Sequence, residues 1–359
     1  MKGKNMKSKC GIVTLYGLFN YGNRLQNYAS QIVLEDLGFE VYTLVIQDYI
    51  QKKTLNEKFK HYIKLILRKS YRAINKNEKL RAENFVDFEK NIHEHKIYSK
   101  NLNKISDEYD FFVVGSDQVW NPYYMVSKDW FFLKFCNPAK RITMAPSIGL
   151  NKLPKKFIDE YEEYLRGFAR LSCREYEGAK ILEEITHKPV EKVLDPTMLV
   201  SVELWEKLAK KPQKFEKRKY VFLYFLGEIT PEYQDFINSR IEEGYSIVNI
   251  LDKLDYFYTF GPNEFLWLIK NSSLVVTDSF HACVFSILFQ RPFVVFERQD
   301  ASDEMTSRIY TLLRNFNLED RIFNRVKNIY CIDYNTQNEI LQKEKQKSLE
   351  FLKKSFGLK

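Results

Sequence analysis

LVVTDSFHACVFSILFQRPFVVFE, residues 274–297, decides the fold. It opens on a continuous apolar run ending at Thr277, turns through Asp278 and Ser279, continues as an apolar segment of helical length, and restarts as a second apolar run after Pro292. Continuous rather than alternating apolar runs mark strands buried on both faces, so the segment reads as strand, turn, helix and strand of a parallel sheet. Upstream, YVFLYFLG (220–227) and YSIVNI (245–250) are further strands, with helices over about Pro231 to Glu243 and in PNEFLWLIKN (262–271); 304–316 is a helix downstream. The N-terminal half repeats the alternation. Strands are expected in GIVTLY (11–16), FEVYTLVI (39–46), DFFVVGS (110–116), RITMAPSIG (141–149), LSCRE (171–175) and VEKVLD (190–195), and helices over 24–37, 154–169 and 176–186. Gly38 suits the position just past a helix end. The expected class is α/β, two Rossmann-like doubly wound domains facing a cleft, with ligands at the carboxyl ends of the strands. The N-terminal domain is expected over 1–205 with a basic helical insertion at 51–105, a polar linker at 206–219, the C-terminal domain at 220–330 and a final helix at 331–359.

The chain has 359 residues, enough for two domains, and its 45% hydrophobic and 29% charged content is that of a globular protein. The net charge of +9 resides in residues 51–105, where 15 Lys and Arg face 6 Asp and Glu. There Phe59, Tyr62, Ile63, Ile66, Leu67 and Ile74 follow helical spacing, with Lys60, Lys64, Arg68 and Arg72 on the other side. Such a cationic amphipathic helix (59–74) suits an anionic membrane surface, or packing on its own domain behind a solvated face. Five scattered cysteines with no C-x-x-C pair fit neither a disulfide framework nor a zinc knuckle, and favour a reducing compartment. The basic N-terminus leads into a run too short for a secretion signal, and no stretch approaches a membrane span. A cytoplasmic protein is expected, at most touching the inner face of the membrane.

The turn at 277–281 sets Asp278, Ser279 and His281 at a strand's carboxyl end. A His in the first turn of a helix feels the positive dipole end while Asp278 opposes it, which suits a general acid near neutral pH; a capping or core-satisfying His fits the same place. In LSCRE, Arg174 offers a planar fork for carboxylate or phosphate, or a structural salt bridge with a neighbour such as Glu175. In VVGSDQVWNP, Asp117, Gln118 and Trp120 combine polar and aromatic groups of the kind that hold sugars; an Asx-type turn over a core Trp120 is the alternative. Asn20, Asn23, Arg24 and Gln26 crowd a helix start without a G-x-G-x-x-G pattern, which disfavours a nicotinamide dehydrogenase. Arg298 and Arg308 follow the last strand and can reach the same cleft. His93-Glu94-His95 is a weak metal pattern. G-x-S-x-G, H-E-x-x-H and G-K-S/T elements are missing, which lowers serine-hydrolase, zincin and P-loop readings. The basic block lacks the interleaved aromatics of a nucleic-acid module.

Taken together, NYGNRLQNYA, VVGSDQVWNP, SIG, LSCREYEG, VLDPTMLV and VVTDSFHACVFSILFQRPFVVF resemble, in order and spacing over about residues 11–320, the polysaccharide pyruvyl transferase family. The resemblance implies a glycosyltransferase-B-like fold and transfer of pyruvate from phosphoenolpyruvate to a sugar of a capsular, exopolysaccharide or cell-wall polysaccharide precursor, forming a cyclic ketal. It assigns catalysis and donor binding to His281 and donor binding to Arg174; for the hydroxyl protons that such chemistry releases, Asp278 or Glu175 is the expected acceptor. Better-known members carry an Arg where this chain has Ser279, and Arg298 or Arg308 stands in for it. Asn23, Gln26, Asp117, Gln118 and Trp120 are expected at the acceptor, which is a saccharide and lipid-linked if the 59–74 helix meets the membrane. No metal and no cofactor beyond the phosphoenolpyruvate donor are expected. The rival readings are a glycosyltransferase-B enzyme using a nucleotide sugar and a non-catalytic saccharide-binding relative.

Overall fold

The computed structural model describes residues 7–16, 19–48, 71–125, 127–298 and 307–358. The first sheet has the order β3-β2-β1-β4-β5, formed by Lys9–Val13 (β1), Glu40–Ile46 (β2), Glu94–Ile97 (β3), Phe111–Val114 (β4) and Arg141–Thr143 (β5). All its pairings are parallel. A parallel pair, Leu171–Cys173 (β6) and Val190–Lys192 (β7), lies beyond β5, tied to it through the Thr143 and Ser172 hydroxyls, 2.9 Å apart. The second sheet, also parallel, has the order β11-β10-β8-β9, from Tyr220–Tyr224 (β8), Ser246–Asn249 (β9), Leu274–Thr277 (β10) and Phe293–Val295 (β11). Each sheet reverses its winding once, between β1 and β4 in the first and between β8 and β10 in the second. The fold class is therefore the two-domain, Rossmann-like one expected, and each switch point opens a crevice at the carboxyl ends of its strands.

Helix α1 (Tyr21–Asp36) starts before the expected Arg24, because the Asn20 side chain accepts from the Asn23 amide at 3.0 Å and caps it there. Just past its end Gly38, with a φ of +99°, lets the chain turn back into β2. This helix joins the two halves. Tyr21 is fully buried, stacks on Phe265 with ring centroids 4.7 Å apart, and donates its hydroxyl to the Phe260 carbonyl at 2.7 Å.

Of the expected cationic helix 59–74, residues 59–70 lie outside the described residues. Helix α2 (Tyr71–Glu89) packs across onto the C-terminal domain, because Asn77, Arg81 and Asn84 donate to main-chain carbonyls of residues 250–259. The 51–105 block also differs from a purely helical insertion, since β3 continues the first sheet beside β2. His93 precedes that strand and His95 lies within it, held by Glu35 and the Tyr109 hydroxyl respectively. The start of the expected linker, 206–208, belongs to a short helix, Val202–Leu208, and Phe215 within the linker is buried against Tyr220 and Trp267. The remaining helices that place functional groups are α3 (Tyr176–Thr186), α4 (Pro262–Asn271), α5 (Phe280–Leu288), α6 (Ser307–Asn315) and α7 (Asn335–Ser355). Helix α7 returns to the N-terminal domain, where Ser348 accepts from the Leu194 amide and Phe356, just past the helix end, packs on Phe39.

Candidate active site

The two crevices face each other across a cleft of about 240 Å³ lined by Asn20, Gly22, Asp117, Gln118, Tyr124, Tyr224, Leu226, Ser279, Phe280, His281, Arg298 and Arg308, among others. The layer beneath this lining, its floor, is charged. Arg174 follows β6 directly, and its Nη1 donates to Asp195 Oδ2 at 2.7 Å while Nη2 lies 3.5 Å from Asp117 Oδ1. Arg308, on the second residue of α6, lies 3.9 Å from the same Asp117 oxygen and meets the Gln118 amide oxygen at 3.1 Å when that amide faces it. Asp117 holds a φ of +67°, a left-handed conformation that Asp tolerates better than most residues. Phe280 covers the Arg174 guanidinium at 4.2 Å.

Asp195 organises this floor, and it is absent from the residues singled out by sequence. Pro196 starts a 3₁₀ turn that Asp195 caps, Oδ1 accepting from the Thr197 amide (3.0 Å) and hydroxyl (2.7 Å). Oδ2 accepts from Ser116 Oγ (2.8 Å) and Arg174, and lies 3.8 Å from His281 Nε2. The available signal was its place just past β7, the strand-end rule already applied to Asp278. Burial alone would raise the Asp195 carboxyl, but Arg174, His281 and the Thr197 hydrogen bond bring it down to about 2. Burial likewise opposes ionisation of Asp117, and Arg174, His281 and Arg308 overcome it, holding that carboxyl below its usual range. The Arg308 guanidinium is pushed down to about 10 by burial and by Arg174 beside it.

His281 sits in the first turn of α5 with its ring against α1. A Cβ built on Gly22 would stand 2.0 Å from His281 Nδ1, so only glycine at that position lets the imidazole seat. Burial lowers the His281 pKa; Asp195 and Asp117 pull it up, Arg174 and Arg308 push it down, and the net direction is down. Among the described residues, Arg174 Nε and Nη2, Arg308 Nε and His281 Nε2 are buried nitrogens with no hydrogen-bond partner in the protein. Such groups cost free energy unless something anionic satisfies them.

Other residues singled out by sequence lie elsewhere or are otherwise engaged. Asp278 accepts from the Leu226 and Gly227 amides at 2.7 Å each and from Arg298 Nε at 3.1 Å, so both its oxygens hold the 226–227 turn and Arg298 in place. Glu175 Oε1 accepts from the Ser147 hydroxyl and the Ile148 and Gly149 amides, which fixes the SIG turn. Neither carboxylate is thereby disposed as a proton acceptor. Trp120 is fully buried, stacks on Phe132 and donates to the Phe131 carbonyl, so it belongs to the core rather than to a sugar site. Gln26 is buried between Thr14 Oγ1 and the Ser116 amide, and Asn23 is bound to Arg24. Asp117, Gln118, Ser279, His281, Arg298 and Arg308 do converge on the cleft; Arg174 is not itself a lining residue and lies in the floor beneath them, 3.5 Å from Asp117.

Fold and site together define a two-domain α/β protein whose interdomain cleft presents buried cations and an imidazole. The sequence model of the family described as polysaccharide pyruvyl transferase matches residues 20–300, and the chain belongs to that family. A transferase with a saccharide acceptor follows from this membership. No curated protein matches in sequence. Similar solved structures include a putative UDP-N-acetylglucosamine 2-epimerase from Listeria monocytogenes (12% identity, 93% of this chain and 95% of that one, TM-score 0.44). Others are the UDP-GlcNAc 2-epimerase of Methanocaldococcus jannaschii in complex with UDP-GlcNAc and UDP (14%, 93% and 98%, 0.40) and Acinetobacter baumannii MurG (9%, 97% and 94%, 0.41). Among the described residues no helix is long and apolar enough to cross a membrane.

Proposed function

We propose that the protein transfers pyruvate from phosphoenolpyruvate to a sugar hydroxyl pair of a polysaccharide precursor, closing a cyclic ketal. The observation that carries this reading is the set of unpartnered buried nitrogens on Arg174, Arg308 and His281. The donor bears a carboxylate and a phosphate on one small skeleton, and two guanidinium forks beside an imidazole match both. Arg298, aimed into the cleft by Asp278, supplies a third cation next to Ser279.

In this reading the proton on His281 Nε2 goes to the donor's methylene carbon, and the neighbouring carbon becomes electrophilic. The first sugar hydroxyl forms its C–O bond there, phosphate leaves with the electrons of its own C–O bond, and the second hydroxyl closes the ring. The two hydroxyls release two protons, one returning to the imidazole and one leaving with phosphate. Buried guanidinium groups stabilise the departing charge without reorganising. The acceptor ring rests at the cleft mouth, where Tyr124 lines the wall with 48% of its surface exposed and offers an aromatic face. A cytoplasmic, lipid-linked acceptor would suit the cationic residues of 59–74 on their sequence pattern.

The test is incubation with phosphoenolpyruvate and a panel of methyl hexosides in D₂O, following inorganic phosphate and the ketal methyl signal by NMR. Phosphate release with one solvent deuterium in that methyl group is the expected result. Release of nucleotide from a nucleotide sugar, with phosphoenolpyruvate untouched, would overturn the reading.

A further inference from the structure

Asp195 has no assigned part in the chemistry, yet it is the carboxylate nearest the His281 nitrogen that lacks a partner. Four groups fix it: the Thr197 amide and hydroxyl on Oδ1, Ser116 Oγ and Arg174 Nη1 on Oδ2. The imidazole is fixed in turn from its other edge, since Gly22 leaves no room behind Nδ1. The other charges that reach His281 are Asp117 after β4, Arg174 after β6 and Arg308 on α6; α1 brings glycine there.

We propose that Asp195 is the positioning residue for His281: donor binding draws a proton onto Nε2, and Asp195 holds that imidazolium until it is delivered to the donor. This deepens the pyruvyl-transfer reading and rests on it. In the free protein burial, with the two arginines, outweighs the two carboxylates and holds the imidazole pKa below its ordinary value. The donor's negative groups, placed against Arg174 and Arg308, cancel the opposing cations and leave Asp195 as the dominant neighbour. The arrangement makes donor binding and acid loading one event, so the acid is charged only when its substrate is present.

The proposal has two signatures that a merely structural carboxylate would not give. Calorimetric titration of the full chain with phosphoenolpyruvate, repeated at neutral pH in buffers of different ionisation enthalpy, should show uptake of a substantial fraction of one proton. His281→Gln should bind the donor without that uptake. Asp195→Asn, which keeps the shape and the acceptor facing Thr197, should lose most of the uptake. It should also bind the anionic donor as tightly as wild type or more tightly, and lower kcat at least tenfold, with the alkaline limb of kcat moved to lower pH. Binding without proton uptake in the wild-type protein would overturn this proposal alone, as would an Asp195→Asn variant with an unchanged kcat profile. Should Asp195→Asn fail to fold, the wild-type and His281→Gln titrations still decide. Absence of any phosphoenolpyruvate binding would remove the pyruvyl-transfer reading and this proposal with it.

Discussion

Asp195 and Asp278 both sit just beyond the carboxyl end of a parallel strand, one in each domain, and their surroundings turn them to opposite uses. Asp278 meets two peptide amides and Arg298; burial dominates, its pKa rises, and its oxygens are occupied in shaping the 226–227 turn. Asp195 meets a buried guanidinium and an imidazole, stays ionised down to about 2, and faces the buried, unpartnered Nε2 of His281. A strand end delivers a carboxylate to a cleft; the donors that arrive from other segments decide whether it builds backbone or chemistry.

The comparison can be tested by breaking each side in turn. The largest effect is expected for His281→Gln, a fall in kcat of roughly 10²- to 10⁴-fold with donor affinity retained, measured by phosphate release. Gly22→Ala should come next. The added methyl displaces the imidazole, and a misplacement on the scale of 1 Å costs about 10²-fold in rate. Donor affinity should hold, a result that separates the seating of His281 from the anion site. Arg174→Lys keeps the charge beside Asp195 but loses the fork, and should weaken phosphoenolpyruvate binding by roughly 10- to 100-fold in a calorimetric titration.

The remaining two predictions concern stability. The native Asp195 carboxyl lies below its ordinary 3.8, so its stabilising contribution is full above that value and is lost as pH falls from 3.8 through about 2. Denaturant melts of wild type and Asp195→Asn should therefore converge over that window, by about 2 kcal/mol. For Asp278→Asn, whose pKa is raised, no such acid-labile term is expected. The variant should lose about 1 kcal/mol from its weakened amide contacts at neutral pH, while donor affinity changes less than about threefold.

Much of this was legible in the sequence. Continuous apolar strands alternating with helices specify parallel α/β layers, and the strand-end rule picks out Asp117, Arg174 and His281. What it missed depends on contacts between distant segments. Nothing local distinguishes a Trp120 that reaches a sugar from one that stacks on Phe132, and nothing near Gly22 announces a histidine some 260 residues away. Asp278 is read locally as His281's neighbour, but the amides of Leu226 and Gly227 arrive first. The cationic character of the 51–105 block suggested a surface, whereas Arg81 is fully enclosed between the domains, donating to the Ile250 and Tyr258 carbonyls.

The central claim is that the buried guanidinium groups of Arg174 and Arg308 hold phosphoenolpyruvate beside the His281 imidazole. Its most direct test is a calorimetric titration of the wild-type protein with phosphoenolpyruvate beside a panel of UDP- and GDP-sugars, repeated on Arg174→Lys. Saturable phosphoenolpyruvate binding that weakens in the variant is the predicted result. Binding of a nucleotide sugar, with no heat from phosphoenolpyruvate, would contradict it.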